Sequence, residues 1–301
     1  MKTKLLVLGV LFAPGLALAG TPIDETRKVD ADARIEVNNV KGAVNVVAWD
    51  KNEVSISGTL GDGARRLAVE GGESSLNIRV EGPDKSKGWF NWGSDSSMQE
   101  TILNIKVPRT VSLEVGVVSA TVAISELSGG EVAVDSVSGR IRVSAVTTPR
   151  LRLESVSGDV EFDGKSADTS IESVSGDIVA RGVGGNNRYE TVSGNVRISA
   201  ATPLKQANAS TVSGDIEISG ALDKGARIEL ETMSGDVRLN LPANLSARIE
   251  AESFSGTLRS DFGTVEKPEH GPGSSLKAKA GDGDGDISID SFSGNVTVRR
   301  E

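Results

Sequence analysis

A six-residue phrase returns through the second half of the chain at nearly constant spacing. It reads SVSGRI, SVSGDV, SVSGDI, TVSGNV, TVSGDI, TMSGDV, SFSGTL and SFSGNV. Its glycines are Gly139, Gly158, Gly176, Gly194, Gly214, Gly235, Gly256 and Gly294, at intervals of 19, 18, 18, 20, 21, 21 and 38 residues. From Gly139 to Gly256 the mean step is 117/6, or 19.5 residues. The last interval covers about two periods and predicts a degenerate rung or an insertion. A weaker copy ends at Ser128-Gly129. A fixed period near 20 restricts the chain to a solenoid, and the leucine-and-asparagine consensus of leucine-rich repeats is absent.

Within each unit the apolar residues alternate. Leu151 and Leu153 precede the Gly158 corner, and Val160 and Phe162 follow it, a period of two that marks strands. Polar and Gly-rich pieces such as Asp163-Gly164-Lys165-Ser166 make a second corner. Two columns are apolar throughout. Two residues before the glycine stand Val137, Val156, Val174, Val192, Val212, Met233, Phe254 and Phe292. Two residues after it stand Ile141, Val160, Ile178, Val196, Ile216, Val237, Leu258 and Val296. Both columns are expected in one continuous core, because a single rung cannot bury its apolar edge alone. The expected fold is all-β, a single-stranded parallel β-helix of about 19.5 residues per coil with little helix, right-handed by the general chirality of parallel crossovers. Residues 20–107 form irregular N-terminal coils and a cap, continuous with regular repeats over 108–301. Arg299, Arg300 and Glu301 would then charge the terminal rung against edge-to-edge pairing.

Residues 1–19 carry Lys2 and Lys4, an apolar run from Leu5 to Phe12, and Ala17-Leu18-Ala19 before Gly20, the pattern of a signal peptide. Its removal takes the formal charge from −9 to −11, since it holds two Lys and no acid. The mature chain is expected to be exported, periplasmic or extracellular in the cell envelope, with no transmembrane segment. The absence of Cys excludes a disulfide framework, a thiol nucleophile, a Cys-ligated metal and a Cys-linked lipid. A net charge of −9 argues against nucleic acid as a partner.

Three segments carry a resemblance: Val44 to Val54 with Trp49-Asp50, ILNIKVPRTVSLEV at 102–115, and the repeats to the end. With these the chain resembles the bacterial "putative adhesin" family, a domain-of-unknown-function group of envelope proteins with a β-helical repeat. The resemblance implies an envelope protein and supplies no catalytic motif.

Candidate site residues fall into three groups. Acids occupy two columns, Glu154, Glu172 and Glu190 four residues before the glycine, and Asp159, Asp177, Asp215 and Asp236 immediately after it. Stacked carboxylates repel, so they suggest either a calcium ladder, for which oxygen ligands are suited, or a solvated face partly paired with arginine. Trp89, Phe90 and Trp92 cluster in the polar loop GPDKSKGWFNWGSDSS, where they could stack on a sugar or plug the stack. The run Gly281 to Asp286 lacks the twelfth-position Glu of an EF-hand. Asp284-Gly285-Asp286-Ile287 matches the corner phrase instead. His270 has no second imidazole anywhere in the chain.

The leading expectation is a non-catalytic, monomeric binding or scaffolding rod without a cofactor, its partner an envelope protein or glycan. The alternatives are a pectin-lyase-like polysaccharide enzyme, which would need a polar cluster breaking the repeat at one rung, and an end-to-end polymer.

Overall fold

A computed structural model describes residues 20–82, 98–269 and 272–301; the candidate aromatic loop residues Trp89, Phe90 and Trp92, His270 and the expected signal peptide at 1–19 lie outside the described residues. The described chain is all-β, with 21 strands in one continuous sheet and no helix. Each repeat supplies one rung of a solenoid-like stack. The central rungs are β9 (Ile141–Ser157), β10 (Val160–Ser175), β11 (Ile178–Ser193) and β12 (Val196–Ser213). They pair in parallel, with Val160 opposite both Ile141 and Ile178, and Glu172 opposite both Glu154 and Glu190.

The Ser-Gly pair sets the rung contact at the corner. Gly158 has φ +151°, and a Cβ there would collide with the carbonyl oxygen of Gly139. The Gly158 N–H in turn donates to the Ser175 carbonyl oxygen at 3.1 Å. Only a residue without a side chain lets successive corners approach so closely. The same contact links every later corner to its neighbour.

The core holds only one of the two apolar columns. Residues two positions after each glycine, from Ile141 to Val296, are buried, as are the residues five positions before it, including Leu153, Ile171, Tyr189 and Leu230. Ser or Thr fills the inward position three before the glycine, as at Ser155, Ser173, Thr191 and Thr211. The column two before the glycine is aligned as expected but points outward, 47–60% exposed from Val137 to Phe292. Strand alternation is the reason. With Leu151 and Leu153 inside, Ser155 must also face in and Val156 out, and the alternation breaks only at the Ser157-Gly158 corner, where Ser157 is exposed as well.

Rung order also departs from chain order. β20 (Gly285–Ser293) inserts between β14 (Leu222–Ser234) and β16 (Ala247–Ser253), and β21 (Val296–Arg300) lies between β15 (Val237–Leu241) and β17 (Leu258–Ser260). Gly294 therefore stacks between Gly235 and Gly256. The 38-residue interval is an insertion that carries the chain past one empty rung position and back. Arg299 and Arg300 consequently border the penultimate rung, and the outer edge is covered by antiparallel β19 (Ser274–Ala280) and β18 (Val265–Glu266). Asp284-Gly285-Asp286-Ile287 opens β20 rather than turning a corner, with Ile287 opposite Ile228 and Ile249.

The other end repeats this device. β2 (Arg34–Trp49) pairs in parallel with β7 (Ser112–Ser125) on one side and with β5 (Ser75–Glu81) and β6 (Thr101–Pro108) on the other. Antiparallel β3 (Glu53–Leu60) and β4 (Arg66–Gly71) close that edge. The early copy of the corner is Val118-Ser119-Ala120, whose carbonyl oxygen meets Gly139, rather than Ser128-Gly129. Arg109, in the turn after β6, fastens the outer coils. Its Nε donates to the Asp50 carboxylate at 2.6 Å and its Nη1 to the Glu126 carbonyl oxygen at 3.3 Å.

These contacts fix three expectations for stability. Leu153→Ala should cost about 2–5 kcal/mol as a core truncation, whereas Val156→Ala should stay within about 0.5 kcal/mol. Gly158→Ala should cost at least about 1–3 kcal/mol from strained backbone and corner collision. Urea titration of the three variants checks all of them. The guanidinium of Arg109, chiefly through its hydrogen bond, holds the Asp50 carboxyl below its ordinary 3.8. A carboxylate depressed in the folded state adds stability above its unfolded pKa and loses it as pH falls through the lower folded value. An NMR titration should place the Asp50 midpoint below 3.8, and Arg109→Ala should raise it.

A candidate binding face along the rung stack

The outward column becomes a continuous apolar file. Val118 lies opposite Val137, between the strand pairs Val117–Ser136 and Ser119–Ser138. In spatial order the file then runs Val137, Val156, Val174, Val192, Val212, Met233, Phe292 and Phe254, following the glycine stack. With strands about 4.8 Å apart, eight steps from Val118 to Phe254 span about 38 Å. At the far end the rings of Phe254 and Phe292 stack, 5.0 Å between centroids and 10° between planes.

The file has two unlike flanks. On one side, alternation along the same strands places Asp135, Glu154, Glu172, Glu190, Ser210, Glu231, Asp290 and Glu252. On the other, exposed serines such as Ser157, Ser175 and Ser193 lead into the corner. Concave surface follows the file in two sections. One, of about 1100 Å³, runs over Val118 to Val212 beside Glu154, Glu172 and Glu190. The second, of about 890 Å³, is floored by Val212, Met233, Phe254 and Phe292 and walled by Glu266, Lys267, Pro268 and Pro272.

The two acidic columns separate onto different surfaces. Glu154, Glu172 and Glu190 line the groove. Arg152 joins Glu154 to Asp135, with 3.2 Å to the latter, and Arg188 pairs with Glu190. Glu172, Glu231 and Glu252 have no such cation among the described residues.

Asp159, Asp177, Asp215 and Asp236 lie past the corner and serve the stack. The Asp159 carboxylate accepts the Asp177 N–H at 3.3 Å, Asp177 accepts that of Asn195 at 2.8 Å, and Asp215 accepts that of Asp236 at 2.9 Å. Asn195 supplies the missing link by accepting the Asp215 N–H at 3.0 Å, and Asp236 continues the chain by accepting the Asn295 N–H at 2.9 Å. Each side chain thus satisfies a backbone donor at the next rung's bend, where the ladder is interrupted. Arg140 pairs with Asp159 at 3.1 Å, and Arg238 with Asp236 at 3.0 Å and Asp215 at 3.4 Å. Among the described residues no three acidic or imidazole side chains gather as a metal-holding cluster.

Sequence reasoning missed the face itself, because the apolar column was assigned to the core. The signal was present in the inward parity of Leu151 and Leu153.

Solved structures that the chain matches include a "putative adhesin" from Bacteroides fragilis NCTC 9343. It is 14% identical, with 95% of this chain and 100% of that one covered and a TM-score of 0.48. Another, from Parabacteroides distasonis ATCC 8503 and also described as a "putative adhesin", is 12% identical over 92% and 97% of the two chains, with a TM-score of 0.49. A "putative lipid binding protein" from the same organism is 15% identical over 93% and 98%, with a TM-score of 0.49. No curated protein matches the chain. The model of the family Toastrack DUF4097 matches residues 33–299, and the chain belongs to that family.

Proposed function

We propose that the protein is a non-catalytic, adhesin-like binding or scaffolding module of the cell envelope. The rod is read as a right-handed parallel β-helix of about 19.5 residues per coil, a reading supported by in-register pairs such as Val160 with Ile178 and Val196 with Ile216. Export is supported by the leader pattern at 1–19. The observation that carries the function is the apolar file, about half-exposed along the outside of successive rungs. A contiguous apolar strip rimmed by polar residues marks a surface meant to be covered. Its polar neighbours repeat with the rungs. Such repetition suits extended contact, whereas chemistry requires unlike groups converging on one reacting atom.

Immobilised mature chain should retain an envelope protein or glycan from membrane and wall extracts. The exposed double variant Val174→Glu/Val192→Glu should lose that capture while keeping its unfolding midpoint. Capture unaffected by the double variant would contradict this reading. So would product formation from polyuronate polymers.

A further inference from the structure

The following inference rests on that binding reading and names the partner. We propose that the face receives a basic amphipathic α-helix of a partner polypeptide. The helix would lie along the rod, its apolar stripe on the Val/Met/Phe file and its Lys or Arg edge on the glutamate file.

Charge is the first reason. Glu172, Glu231 and Glu252 stand beside the apolar file and form no ion pair among the described residues; acids outnumber the cations Arg79 and Lys267 along the two concave sections, and the chain carries −9 overall. An apolar partner with a basic edge recovers both contacts at once. A second copy would bring a like-charged body with its own glutamates, and an anionic lipid surface would set phosphate near carboxylate. Both are disfavoured by the same electrostatics.

Spacing is the second. Rungs recur about every 4.8 Å, whereas an extended chain shows one face every two residues, about 6.6–6.8 Å. A helix presents its apolar stripe about every 5.4 Å along its axis. The helix therefore slips only about 0.6 Å per turn against the file, whereas the extended chain slips about 1.8–2.0 Å per pair of residues. The file's length of about 38 Å accommodates a helix of about 25 residues.

Asymmetry is the third. Glutamate lines one side and neutral serine the other, so only one edge of the helix should be basic, which fixes its direction. The recess over Phe254 and Phe292, lined also by Pro268 and Pro272 at the outermost rung, suits one bulky apolar anchor at a helix end.

The test uses the mature chain and a fluorescent 18-residue Leu/Lys peptide patterned as an amphipathic helix, with binding read by anisotropy. Its counterparts carry Glu for Lys, or the same composition scrambled to abolish the stripe. Vesicles of anionic phospholipid form a further arm. The Leu/Lys peptide should bind and gain helical circular dichroism. Val174→Glu/Val192→Glu should raise Kd at least about tenfold. Glu172→Gln/Glu190→Gln/Glu231→Gln should raise it about three- to tenfold and flatten its salt dependence. Asp163→Asn/Glu217→Gln, past the corner, should change it less than about twofold. Thermal unfolding of each variant separates a lost contact from a lost fold.

Equal binding of the Glu or scrambled peptide would overturn the inference, as would equal weakening by the control variant. Saturable vesicle binding abolished by Val174→Glu/Val192→Glu, or no peptide binding up to about 1 mM, would also overturn it. If envelope capture still depends on Val174 and Val192 while the peptide fails, the binding face survives and the helical occupant does not.

Discussion

The approach of one Ser-Gly corner to the next governs the rest of this structure. Backbone meets backbone there with no room for a Cβ, so the rungs cannot slip relative to one another. In a parallel stack, a slip of one residue would exchange every inward and outward side chain. With the corner fixed, the buried columns align, and the Asp and Asn side chains past the corner find the next rung's N–H groups. The alternating outward positions then become straight files of like residues. The outward apolar file is thus a by-product of register, in which one choice per repeat is multiplied along the stack.

A rod with open edges invites pairing with other chains. This chain answers at both ends in the same way. It lays the outermost rung out of sequence, threads a neighbouring rung beneath it, and turns antiparallel strands over the exposed edge. A consequence is that the slot taken by β20 and β21 has strand edges on both sides, and the C-terminal segment completes the ladder by filling it. Charge at Arg299 and Arg300 therefore does not guard the outer edge. Arg300 instead reaches the neighbouring bend, its N–H donating to Asp261 at 3.0 Å and its guanidinium lying 5.0 Å from the Phe262 ring centroid.

The period, the strand class and the glycine corner were all readable from spacing, because each is a local property repeated many times. The fate of Val156 was harder, since apolar character alone favours burial. The deciding clue was its parity against Leu153 within the same strand, which outweighs hydropathy when the two conflict. Rung order at the ends was not readable, because the interval from Gly256 to Gly294 fits an insertion as well as an extra coil. The Asp column illustrates a different limit. Asp159 and Asp177 looked like a repelling ladder, but their carboxylates accept backbone N–H groups, a role set by bend geometry rather than by residue spacing. Glu172, one strand face away, has no such partner, so identical chemistry serves the stack in one column and the surface in another.

The central claim is that residues two before each glycine stand in one outward file. Because the chain contains no Cys, thiols can be introduced singly. Cys at 156 or 174 should react with a bulky maleimide in the folded protein nearly as fast as in urea, and Cys at 160 or 178 should be strongly protected. The double variant Val156→Cys/Val174→Cys should close a disulfide on oxidation, since stacked Cα atoms about 4.8 Å apart lie within its reach. Protection at 156 and 174, or failure of that pair to cross-link, would contradict the account.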